Sequence, residues 1–194
     1  ITQSSYIRYG SGHSEASNHL QVLLPNLSAN DVVDVTVQLA ALSGTVNVLE
    51  NATFSLEYVD NARIAFAATT DAGTSGSNFN TANTLQWTET EKRSGITHDD
   101  SSSPENISLD AAGEYLVFVN LPLSGTVTRG NVRLELMLDG SPIAGGQAKQ
   151  GYIRNTSGHN ESSLHFSGVI SATAGQVLTI DTSQESASGT LTVP

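Results

Sequence analysis

Cysteine is missing altogether from this chain, so neither disulfides nor thiolate metal sites hold the fold, and cysteine usage is silent on the redox compartment. Basic residues are scarce: 8 Lys and Arg stand against 19 Asp and Glu, a formal net charge of −11. A phosphate backbone is bound by cations that displace its counterions, so nucleic acid is not an expected partner. No apolar run approaches the roughly 20 residues that span a bilayer. The chain opens at Ile1 with neither Met nor a signal peptide, as expected of a mature or trimmed soluble form. Catalytic signatures are lacking too. There is no nucleophile elbow, zinc-protease helix, phosphate loop or close acid pair, so the expectation is a protein that is not an enzyme and carries no organic cofactor.

What fills the 194 residues is small, polar and uncharged. Charged residues make up 14% against roughly 25% in an average globular protein, and Ser, Thr, Asn and Gly take their place. With the acidic balance, that surface suits an extracellular or cell-surface protein. Apolar residues alternate or cluster in short runs bounded by Gly, Asn, Asp and Ser, and helical spacing is nowhere sustained. Strands are predicted at 20–25, 31–40, 44–49, 53–59, 62–68, 84–89, 107–110, 113–123, 131–139, 164–170, 176–183 and 189–194. Asp60 and Asn61 sit at the bend between 53–59 and 62–68, which predicts an antiparallel hairpin, and the Asp-Gly corner within "LDGSPI" (138–143) predicts another. Residues 70–83 and 96–106 read as exposed loops.

The chain also repeats itself. "YIRYGSGHSEASNHL" (6–20) laid over "YIRNTSGHNESSLHF" (152–166) matches at nine of fifteen positions, at an offset of 146, and "SGTVNV" (43–48) matches "SGTLTV" (188–193) at 145. Residues 49–146 have no second copy. The expected organisation is therefore one unit of about 145 residues preceded by the last third of another: residues 1–60 as the C-terminal strands of a preceding repeat, 61–194 as a unit lacking its own final strand.

The stretch "TLQWTETEKRSGITHDDSSSPENISLDAAGEYLVFVNLPLS" (84–124) resembles the jelly-roll superfamily of tumour necrosis factor and the globular heads of complement C-one-q. Its strand opening appears as Ile107, Ala111, Gly113 and Tyr115, without the family's usual proline. The resemblance covers about residues 62–193. It implies an all-β jelly-roll sandwich of about ten strands, here with an extra partial repeat, in a family that usually forms trimers and is not enzymatic. Members close with a final apolar strand. Nothing equivalent follows Pro194 here, and 53–59 fits that role. An empty strand position exposes backbone groups and core, so a strand supplied in cis or by a neighbouring chain is expected, with Phe54, Leu56, Tyr58, Ile64 and Phe66 as the assembly residues. Copies of the chain are the expected partner, with a glycan as a further one.

Within each repeat copy, alternate residues of an extended strand share a face, which groups His13, Glu15 and His19, and again His159, Glu161 and His165. Imidazole with carboxylate suits a divalent zinc- or copper-type ion. The two histidines of one copy lie about 20 Å apart on a straight strand, so a polar strand face is the plainer reading. Asp60, Asp71, Asp99, Asp100 and Glu105 are oxygen ligands for calcium without the loop pattern such sites use. Trp87, Tyr115 and Phe118 read as core aromatics, and Arg8 and Arg154 as repeat-equivalent arginines at a contact.

Overall fold

The computed structural model describes residues 19–21, 24, 27–38, 54, 65–69, 83–125, 130–153, 160–185 and 191–192. Every regular element among them is a strand: β1 (Ala65–Thr69), β2 (Asn83–Thr84), β3 (Glu89–Ser94), β4 (Ile96–Asp99), β5 (Ser103–Leu109), β6 (Gly113–Gly125), β7 (Gly130–Leu138), β8 (Ser141–Ile153), β9 (Glu161–Ala172), β10 (Val177–Glu185) and β11 (Leu191–Thr192). One sheet runs β4-β5-β10-β7-β8, with β2 also on β10. A second runs β11-β6-β9, and β1 pairs with β3. All ladders are antiparallel.

From β5 onward the chain passes back and forth between the two larger sheets: β5 in the first, β6 in the second, β7 and β8 in the first, β9 in the second, β10 in the first, β11 in the second. That interleaving is the jelly-roll sandwich, as the sequence leads one to expect. Its core follows from period-two alternation. Val132, Leu134 and Leu136 of β7 are buried in one cluster with Val119, Leu121 and Leu123 of β6, Leu164, Phe166 and Ile170 of β9, and Leu178 and Ile180 of β10. Each such side chain removed from water contributes about 1.5–3 kcal/mol against the entropy of ordering the strands.

The Asp-Gly corner forms as expected. Asp139 and Gly140 both take positive φ, 49° and 73°, which is the two-residue turn whose twist matches the strands it joins. The Asp139 carboxylate accepts from Val177 N–H and from Gln176 Nε2, both at 2.9 Å. These bonds hold it below the usual carboxylate range, the Val177 N–H most of all, and pin the β7–β8 tip to β10.

Several expectations are corrected. Residues 96–106 are not a loop but the β4–β5 hairpin, because Ile96 and His98 alternate inward against Ile107 and Leu109. Only its turn is loop-like, where Asp99 accepts from Ser101 and Ser102 N–H at 3.0 and 2.9 Å. The predicted strand 31–40 is not one over its described residues, 31–38. Val32, Val35 and Val37 are 82, 66 and 64% exposed, since β-propensity counts only where a neighbouring strand offers a surface to pack on. The described positions of 20–25 are likewise not in a strand.

Residues 84–89 divide. Leu85 and Trp87 lie buried between β2 and β3, bonded to Ile180 O and Pro104 O at 2.8 Å each. β8 was hidden by Pro142, Gly145 and Gly146. The ladder shifts register near there, between Glu135 and Met137, and Gly145 has φ 77°. A Cβ on Gly146 would sit 3.1 Å from Ile143 and Leu136. The predicted pairing of 53–59 with 62–68 and the boundary at residue 60 lie outside the described residues. β1 does have a described partner, β3.

Candidate functional site

The two large sheets present opposite chemistry outward. On the β7–β8 side, Arg133 and Glu135 form an ion pair at 2.7 Å, Gln147 donates to Glu135, and Lys149 stands opposite Arg133. On β6 and β9 the outward positions include Leu116 and Val169, directly paired across the ladder, at 61 and 62% exposure, with Phe118 two residues on at 40%. The alternation that sends Val119 and Leu121 inward necessarily sends these outward. Phe118 is therefore not the core aromatic expected. Trp87 and Tyr115 do pack in or on the core, and the Tyr115 hydroxyl donates to Ala111 O at 2.6 Å.

Continuing along the same face, the next pair is Asn120 and His165. Here residues 19–21 lie across the sheet. Asn120 Nδ2 donates to Gln21 O, and the His19 ring meets the His165 ring at a centroid distance of 4.2 Å, tilted by 50°. Fixing the amide this way turns Asn120 Oδ1 toward His165 Nδ1, 2.8 Å away. An amide oxygen only accepts, so Nδ1 carries the proton and Nε2 keeps its lone pair. Nε2 is buried and has no hydrogen-bond partner. Burial, and then the neighbouring His19, lower the His165 pKa, which keeps the ring neutral at neutral pH.

The structure thus brings together one histidine from each repeat copy, His19 and His165, which are equivalent positions in the repeat. It does not bring the third described member of the set, Glu161, to them. Glu161 is exposed at the start of β9, opposite Ser124 and four residues from His165. His13, Glu15 and His159 lie outside the described residues. Among the described residues no group of three or more His, Cys, Asp or Glu is placed to hold a metal ion.

Of the assembly residues, Phe54 is exposed. Phe66 is half-buried against the core, and Leu56, Tyr58 and Ile64 lie outside the described residues, as do Arg8, Arg154, Asp60 and Asp71. Asp99 is committed to its turn, where the N–H groups of Ser102 and Ser101 hold its pKa down, and Glu105 lies within β5.

A second polar cluster escaped the sequence reading. His98, 2% exposed, places Nε2 3.1 Å from Pro104 O and Nδ1 3.0 Å from Thr90 Oγ1, which in turn lies 3.1 Å from Asp100 Oδ2. Phe66 closes over the ring edge-on at 5.0 Å. A carbonyl accepts only, so Nε2 carries a proton. With the ring sealed from solvent, the set acts as a buried clamp joining β3, β4 and the β4–β5 turn. The available signal was positional: His98 alternates with Ile96 on a strand whose partner buries Ile107 and Leu109.

No family model matches the chain, and no curated protein does. Among solved structures, the chain is similar to murine APRIL. The crystal structure at pH 8.5 is 11% identical, with 66% of this chain and 87% of that one covered and a TM-score of 0.44. That at pH 5.0 is 13% identical over 58% and 80%, with a TM-score of 0.36. That at pH 8.0 is 13% identical over 65% and 88%, with a TM-score of 0.35. At such values the fold rests on the strand order itself.

Proposed function

We propose that this chain is a non-enzymatic, extracellular structural subunit that assembles with copies of itself into a fibre, sheath or surface layer. The observation that carries the reading is the outward face of β6 and β9. Its apolar residues Leu116, Phe118 and Val169 are exposed, while the adjoining stretch already receives residues 19–21 of the partial repeat. A sheet face that takes one copy of the repeat offers its uncovered remainder to another, so the occupant is a second copy of this chain.

One further feature supports the reading: the opposite sheet, with Arg133, Glu135, Gln147 and Lys149, has the surface of a face that stays in water. The rival reading, a trimeric module recognising glycan or protein through loops 70–83 and 96–106, loses the second of those loops to the β4–β5 hairpin.

Negative-stain electron microscopy of the concentrated chain tests the proposal. Extended particles of repeating width are expected. A field of single, separate sandwiches at every concentration contradicts it.

A further inference from the structure

We propose that His19 and His165 together hold a divalent cation of the zinc class. The site lies wholly within one chain, so it stands independently of self-assembly.

The donor atom is prepared by the structure around it. The Asn120 amide is oriented by Gln21 O, so its oxygen takes the Nδ1 proton of His165 and leaves Nε2 as a lone-pair donor. This is the arrangement in which a metal-binding imidazole has its other nitrogen held by an acceptor, which sets tautomer and ring angle. That lone pair is buried and unpaired. A buried acceptor without a partner is costly, and a cation coordinated between the two rings relieves it.

The spacing fits. With metal–nitrogen bonds of about 2.0–2.1 Å, two imidazoles on one ion hold their centroids about 4.5 to 5 Å apart at coordination angles between square and tetrahedral. The observed 4.2 Å falls short of that by less than about 1 Å, a shift available to the exposed His19.

Pairing across repeat copies also removes the earlier difficulty, that the two histidines of one copy are too far apart to share an ion. The other described histidine, His98, has both nitrogens engaged and does not compete.

The test is isothermal titration of zinc chloride into the metal-free full chain at neutral pH, with His19→Ala, His165→Ala and the double variant His13→Ala/His159→Ala. One saturable site per chain is expected, weakened at least about tenfold by either of the first two changes, the scale on which lost ligand-shell contacts act. The His13/His159 variant should bind as the parent does. Because His19 is exposed, His19→Ala leaves the fold intact and keeps the result readable if His165→Ala is unstable. A chain that takes up no zinc overturns the site, as does binding that survives removal of both His19 and His165.

Discussion

His165 shows how much one side chain's surroundings decide. Its ring is neutral because it is partly buried and faces His19, and its tautomer is dictated by Asn120. The folded-state pKa lies below the ordinary imidazole value of 6.5, whereas the unfolded ring titrates near that value. Protons therefore bind the unfolded chain first. The stabilising contribution is complete above pH 6.5 and is lost as the pH falls toward and through the folded pKa. Urea unfolding of the zinc-free chain at stepped pH checks this: the midpoint should drop across that interval in the parent and fall less steeply in His165→Gln. Parallel curves would mean that His165 is solvated alike in both states.

At this scale the sequence was half legible. The repeat put His19 and His165 at equivalent positions of its two copies, and alternation placed each on a strand face with the other residues of its own copy. It paired them within each copy, because which copy lies across which sheet is a tertiary fact that local spacing does not encode. His98 went unnoticed, since a histidine among Asp and Ser residues reads as loop until the buried neighbours on the partner strand are known.

The strands tell a similar story one level up. Those with clean alternation, β7, β9 and β10, and the apolar run of β6 were visible because each buries a face against a single core. β8 was not, since Gly145, Gly146 and Pro142 interrupt its pattern where the ladder shifts register, and glycine there answers to backbone approach rather than to propensity. The valines of 31–38 erred in the other direction, offering propensity without a partner strand.

β9 carries its own conformational requirement. Gly168 lies on the core side of the strand, and a Cβ there would come within 2.8 Å of the Phe166 ring, which is 6% exposed and fixed in the core. Gly168→Ala should therefore force Phe166 to shift, destabilising the domain by about 1–3 kcal/mol as overpacking does. Denaturant midpoints measure the effect. An unchanged midpoint would show that the ring moves aside freely.

For the molecule as a whole, the informative asymmetry is between its two outward faces. One is laced with Arg133, Glu135, Gln147 and Lys149. The other bares Leu116, Phe118 and Val169 beside a stretch where part of a repeat copy has already settled. Composition foretold a polar, weakly charged surface, and it gave no warning of an exposed apolar patch on one sheet. That feature comes chiefly from β6, apolar from Tyr115 to Leu123 at every position but Asn120, the pattern of a strand covered on both faces.

The central claim is that a second copy of the chain completes this cover. Sedimentation velocity over a concentration series, on the parent chain and on Leu116→Asp/Val169→Asp, tests it most directly. Both substituted positions are more than half exposed, so the variant should fold as the parent does. The account requires the parent to sediment as species that grow with concentration and the variant to remain a single slow species. A parent chain that stays monomeric across the series, or a variant that associates as well as the parent, contradicts it.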